Sequence, residues 1–477
     1  MKTSRPSPNV TLAVLVLAGI VYALLQSLVA PALPDIQHAT GASESTVSWV
    51  LTAFLLSASV LTPILGRLGD IHGKERVLLG VLITFGIGAL ISAVASSIEL
   101  LIVGRIVQGA GGGIFPLAFA IIRDEFPRHK VAGSIGLVSS LLGIGAGAGV
   151  VLAGVVVEQF SYHWLFWFPL AMIVVAAWAT WRYVPESPVT APGRISWLGA
   201  GLLSTGLAMV LLAFSQASSW GWGSPRTLGL IALGLVVLGA WVRSELRVRH
   251  PLVDMRVMRI RGVWTTNLVA LLVGVGMYSS FILIPQLVQE PESTGYGFGA
   301  SVTQAGLFLL PATMTQLLVG PMAGWIERRF GSKSALIAGT IFAASAYLLL
   351  WLAHEQAWQI YLASALMGAG IGLAFAAMAN LIVTAVPQDQ TGVATGMNTV
   401  TRTVGGALGA QLAGTFLAGQ VVAATGLPGE TGFELGFAMC AVALLVAIGV
   451  GTLIPGRHDR DGDATVPAGA LAEPGAA

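Results

Sequence analysis

The chain is a succession of apolar runs, each long enough to cross a bilayer and separated by short polar breaks. Fourteen of them fall near residues 10–33, 46–66, 76–96, 99–122, 131–156, 163–184, 195–215, 227–244, 263–288, 301–326, 334–353, 358–385, 392–419 and 433–454. A hydrocarbon core needs roughly 20 apolar residues per helix. A backbone in lipid can satisfy its own polar groups only as helices or closed barrels. The runs therefore predict an all-α polytopic membrane protein. Charged residues make up only 10% of the chain, against about 25% in a soluble domain, which excludes a water-facing surface over most of it. The first run follows Lys2 and Arg5, as a signal peptide would, but it is too long for a cleaved signal and reads as a retained span. The lone cysteine, Cys440, excludes an intramolecular disulfide and a multi-cysteine metal site.

The cations fix an orientation. With the N-terminus and every second connection assigned to one face, that face holds 21 of the 24 Lys and Arg residues. The opposite face holds Arg226, while Arg105 and Arg402 fall inside runs. The positive-inside rule then makes the loaded face cytoplasmic, with both termini inside, in a cell membrane. Two segments also recur. "GRLGDIHGKERVLLG", after run two, aligns with "GWIERRFGSKSALIAG", after run ten, at an offset of 258. "GAGGGIFPLAFA", in run four, aligns with "GAGIGLAFAAMA", in run twelve, at an offset of 259. Two six-helix repeated halves are expected, 1–190 and 251–456, with runs seven and eight inserted as a pair over 191–250 and a disordered tail over 457–477. Repeated halves around a midplane site are a construction of secondary transporters.

Four segments carry candidate chemistry. The connection after run two reads Gly66-Arg67-Leu68-Gly69-Asp70-Ile71-His72-Gly73-Lys74-Glu75-Arg76. Glycines let helices approach and turn sharply, and a carboxylate at Asp70 can accept from a helix N-terminus or pair with an arginine. Run four carries "GRIVQGAGGGIFPLAFAIIRDEFP", with Arg105 and Gln108 ahead of a glycine face. An ionisable residue inside a span is costly and marks a functional candidate; the alternative is an arginine snorkelling to the outer interface. Run five carries "GIGAGAGVVLAG", in which Gly143 and Gly147 form a candidate packing hinge at the four-residue spacing of tight helix contacts. Run one ends "LLQSLVAPALPDI".

Over about residues 10–455 these segments resemble the major facilitator superfamily and, within it, the fourteen-helix branch of drug:proton antiporters. The loop is similar to the signature G-x-L-a-D-R-x-G-R-[KR] at Gly66, Leu68, Asp70 and Gly73, and departs from it at Ile71 and Glu75. Arg105, Gln108 and Gly109 resemble the fourth-helix motif R-x-x-q-G-x-g. Run five resembles the glycine-rich antiporter motif without its proline. Ala32 to Pro34 match the end of the first-helix motif L-D-x-T-x-V-N-V-A-L-P, but its aspartate falls on Leu25, with Gln26 beside it. "HPLVDMRVMRIR" and "GMNTVTRTVGGALG" also look like that branch. The resemblance implies the major facilitator fold and a cavity lined mainly by helices 1, 4, 9 and 12, flanked by 2, 5, 10 and 13. It also implies proton coupling, with the carrying acid left unassigned by Leu25. Gly66, Asp70, Gly73 and Arg76 would form the gating loop, with Asp70 holding the halves together rather than touching substrate.

None of the 22 acids and 7 histidines falls in mid-run. The polar residues at depth are Gln26, Arg105, Gln108, Gln316, Asn398 and Arg402, the candidate substrate cavity, with Asn267 and Asn380 nearer the loaded face. Two arginines without a carboxylate predict neutral or weakly acidic substrates over dications. The expected function is secondary active export of hydrophobic or amphipathic small molecules by alternating access, coupled to protons. Uptake or facilitated diffusion of a metabolite is the alternative that Leu25 keeps open. A membrane-embedded enzyme would need a nucleophile, metal cluster or acid–base pair near the interface, and none appears in context. The partners expected are a small-molecule substrate, the proton and lipid, with no nucleic acid, cofactor or metal, in a monomer.

Overall fold

A computed structural model describes residues 7–144, 149–422 and 426–455. Fourteen helical segments answer the fourteen runs. They are α1 Pro8–Ser27, α2 Trp49–His72, α3 Lys74–Ala93, α4 Ile98–Glu125, α5 (described as Arg128–Ile144 and Val150–Gln159), α6 Trp164–Tyr183 and α7 Trp197–Trp220. The second set comprises α8 Pro225–Glu245, α9 Arg261–Gln289, α10 Val302–Phe330, α11 Ser332–Leu352, α12 Ala357–Ala385, α13 Thr391–Gly419 and α14 Glu430–Thr452. Among the described residues, 12 helices are long and apolar enough to cross a membrane on their own. The two others are α5, described in two pieces, and α13, whose six threonines, Asn398, Arg402 and Gln411 make it more polar. The predicted tail, 457–477, lies outside the described residues.

Buried side chains explain why the helices gather as they do. One large cluster runs from Val14 to Val184, joined by Ala379 and Val383, and a second runs from Val269 to Ile454. The two bodies meet along α2–α13 and α5–α10. Both seams are backbone against backbone. A Cβ on Gly66 would collide with the carbonyl oxygen of Gly392, and one on Gly324 would collide with Gly133. Gly66 and Gly324 stand 258 residues apart, Gly133 and Gly392 259, so the two seams are copies of one another at the offsets of the sequence repeat.

The inserted pair stands outside this arrangement. α7 packs on α8 and also against α2 and α13, where the Thr52 and Ser215 hydroxyls are 3.3 Å apart. The indole N–H of Trp222 donates to Thr415 at 2.7 Å. A small cluster including Leu203, Trp241, Val393 and Val400 seals the joint. The far side of α8 exposes Leu228, Leu233, Leu235 and Val236, an apolar face suited to lipid.

Candidate functional site

A cavity of about 680 Å³ lies between the two bodies. It reaches from mid-depth, at Thr62, Gly112 and Arg402, to the face opposite the cation-rich one, at Ala30, Pro34, Gln286 and Gln289. Its walls come from α1, α2, α4, α9, α10 and α13. This corrects the expected lining. α12 contributes nothing to this cavity, because its glycine face is consumed by packing: Gly368 against Ala312, Gly370 against Ala343, Gly372 against Gln316. α2, α10 and α13, expected only to flank the cavity, supply Phe54, Leu309 and Arg402.

Tyr22, Phe54, Phe115, Tyr278 and Phe281 make the surface aromatic. Gln26 reaches across from the first body, its amide donating to the Tyr278 hydroxyl at 3.4 Å. Arg402 lies with its guanidinium 4.3 Å from the centre of the Phe375 ring. Among the described residues, no Asp, Glu, Lys or His lines the cavity. Sequence reasoning missed Tyr22 and Tyr278; one-residue aromatic signals in apolar helices do not distinguish a wall from a core.

Of the six predicted cavity residues, Gln26 and Arg402 line this cavity, Asn398 lines a second, small pocket beside Arg402, and Arg105, Gln108 and Gln316 line neither. Arg105 is fully buried outside the cavity, with the guanidinium 4.1 Å from the Phe54 ring centre. It donates to the carbonyls of Val50 at 3.1 Å and Leu25 at 3.3 Å, and to the Gln108 side chain at 2.6 Å. Gln108 in turn donates to Ser92 at 3.0 Å. The pair ties α4 to α1, α2 and α3, which explains why a charge is retained there. Gln316 packs against Gly372. Asn398, below the cavity floor, donates to Asn267 at 2.9 Å. Arg105→Ala should therefore lower stability by roughly 2–4 kcal/mol, the scale of losing hydrogen bonds to a charged group, and leave ligand selectivity unchanged. Thermal unfolding in detergent beside ligand binding checks both; altered selectivity at unchanged stability would count against it.

The cation-rich face is closed. Asp70 is fully buried at the end of α2, where its carboxylate accepts from the N–H groups of Gly392 at 3.0 Å and Val393 at 2.9 Å. These are free donors of the first turn of α13, where the helix dipole favours an anion. Gly73 carries φ +100° between α2 and α3, a turn that other residues rarely adopt. Arg76 points outward and pairs with Glu75 and Glu186.

Arg123, at the end of α4, adds a second clasp that the sequence did not single out. It donates to the carbonyls of Val386 at 2.8 Å and Pro387 at 3.2 Å and to the Thr391 hydroxyl at 2.6 Å. On the other seam Asn380 donates to Glu327 at 3.0 Å and to the Ala132 carbonyl at 3.3 Å. Of the candidate packing hinge, Gly147 lies outside the described residues and Gly143 stands in the last turn of the first piece of α5.

The family model described as Major Facilitator Superfamily matches residues 15–410 and again 266–472. The chain belongs to the Major Facilitator Superfamily. As a member of that superfamily it is a multi-pass membrane transporter, not an enzyme, and its substrate is a small molecule. It is 28% identical over 387 residues to the "Multidrug resistance protein B homolog" of Mycobacterium tuberculosis, covering 80% of this chain and 71% of that one. It is likewise 28% identical to the "Lincomycin resistance protein LmrB" of Listeria monocytogenes, with 72% of each covered. With the "Multidrug transporter protein MdtP" of Bacillus subtilis it shares 26% identity over 84% of this chain and 74% of that one. In fold it is similar to the human organic anion transporter MFSD10 (TETRAN), at a TM-score of 0.66 and 16% identity, over 94% of this chain and all of that one.

Proposed function

We propose that this protein exports hydrophobic or amphipathic small molecules from the cell by alternating access, driven by proton entry, with the cation-rich face and both termini in the cytoplasm. The observation that carries the proposal is one cavity reaching one face only, with the other closed by Asp70 and Arg123. That asymmetry is what an outward-facing state requires. The rocking bodies are 1–190 and 251–456, with 191–250 braced against α2 and α13. The names of the relatives support drug export as the physiological direction. A pocket of about 300–1,000 Å³ with apolar walls and few polar groups suits a drug-sized ligand. Cells with and without the protein, compared over a panel of toxic amphiphiles, test it. Unchanged sensitivity throughout, with the protein in the membrane, would overturn it.

The absence of a carboxylate among the described residues of the cavity lining favours one second reading, an uncoupled facilitator. If protons drive export, they act through buried acids at the closed face. Glu327 fits, since it is 4% exposed and its partners are uncharged, the Ser332 hydroxyl at 2.6 Å and the Asn380 amide. Glu327→Gln is then expected to abolish uphill export on an imposed pH gradient while counterflow of labelled substrate continues. Undiminished uphill export would remove Glu327 from coupling, and no response of the wild type to the gradient would favour the facilitator.

A further inference from the structure

Among the described residues the cavity holds a single cation, Arg402, and its surroundings are unusual for a charge at membrane depth. Arg402 is half-buried and faces the cavity from α13, about ten residues into the helix. Among the described residues, no carboxylate and no hydrogen-bond acceptor engages its guanidinium, which lies over the Phe375 ring. A guanidinium stacked on an aromatic ring keeps its in-plane N–H donors free, in the fork geometry that matches a carboxylate. Arg105, the other arginine at depth, has three hydrogen bonds to groups of its own body and does not line the cavity. The hydroxyls of Tyr22 and Tyr278, the Gln26 amide and Thr403 stand along the same lining, and Phe115 and Leu309 offer apolar wall to a ring or chain.

We propose that Arg402 is an anion-recognition residue and that the preferred ligand is an amphipathic monoanion, its carboxylate against the guanidinium and its apolar body against the aromatic walls. This rests on the transport reading of the same cavity and names the substrate class. The electrostatic reason is the imbalance. In a site of low dielectric, one unpaired cation attracts an anion strongly and repels a second cation, since charge interactions there far exceed those in water. A ligand carboxylate also completes the guanidinium's hydrogen bonding, whereas an amine would leave it unpaired and add repulsion.

The test uses three ligands of one body and different charge: naphthaleneacetate, naphthaleneacetamide and naphthaleneethylamine. Binding to the purified full-length protein in detergent should favour the carboxylate over the amine by about tenfold or more. In Arg402→Gln that ratio should fall to about one, with affinity for the amide changed by less than about threefold. Arg402→Lys should keep the order, which separates a role of charge from a role in folding. Equal or tighter binding of the amine by the wild type overturns the proposal, as does a preference that survives in Arg402→Gln. Failure of all three to bind a folded, monodisperse sample overturns it as well. Export assayed in inside-out vesicles separates this from the broader reading. Carboxylate-selective binding without export would sink the export function and leave the site, while export of the amine but not the carboxylate would do the reverse.

Discussion

Asp70→Asn is expected to slow transport by about tenfold or more while changing substrate affinity by less than about threefold. The carboxylate sits outside the cavity and accepts two N–H groups from the first turn of α13, reaching from one body to the other. Charge-assisted hydrogen bonds of this kind contribute about 1.5–3 kcal/mol, and 1.4 kcal/mol is tenfold in an equilibrium. Asparagine keeps one acceptor and loses the charge, so the closed cation-rich face becomes less favoured, and the proposed alternating-access cycle would lose a state it must visit. Gly66→Val should give the same phenotype by a different route, since any Cβ there meets the carbonyl of Gly392. Rates from counterflow in proteoliposomes, set beside equilibrium binding, provide the check. A tenfold loss of affinity with turnover intact would make Asp70 a substrate ligand instead.

Lys74→Ala should be among the most destabilising single changes in the chain, at about 3–5 kcal/mol. Lys74 is fully buried, pairs with Asp124, and donates to the carbonyl of Val189 at 3.0 Å. Ser187 also donates to Asp124, and the N–H of Ala191 donates to the carbonyl of Asp70 at 2.6 Å. The ammonium thus fastens the segment after α6 beneath the turn between α2 and α3. Removing one partner of a buried pair strands the other charge, which is the costly direction; removing both together is far less harmful. Lys74→Met with Asp124→Leu should therefore recover much of the loss, and thermal unfolding of the two single variants and the double variant would show it. A double variant no more stable than the worse single one would refute the pairing as the source.

The helical architecture was legible because lipid demands it: the spanning runs are written in the sequence as apolar length, and the connections as polar breaks, with the cations gathered on one face. The duplication was legible for a related reason, since one of the two aligned segment pairs begins at Gly66 and Gly324, where any Cβ would meet another backbone. Asp70 could be singled out from its loop, but its partners are backbone N–H groups 322 and 323 residues away, and backbone donors leave no mark in a sequence.

The two arginines show where local information ends. Arg105 and Arg402 are both cations at depth with glycines close by, and their neighbours, aliphatic around the first and threonines around the second, do not say which one faces a cavity. Packing does. The helices around Arg105 turn the carbonyls of Leu25 and Val50 and the side chain of Gln108 toward it, so its charge is spent inside one body. Around Arg402 the two bodies part, leaving an aromatic ring on one side and the cavity on the other. By itself the sequence determined that this protein spans a membrane as two repeated halves, because burial in lipid and backbone contact restrict residue type directly. Only the tertiary structure decided which polar groups face the cavity, because that depends on the side-chain partners that distant helices bring to each charge.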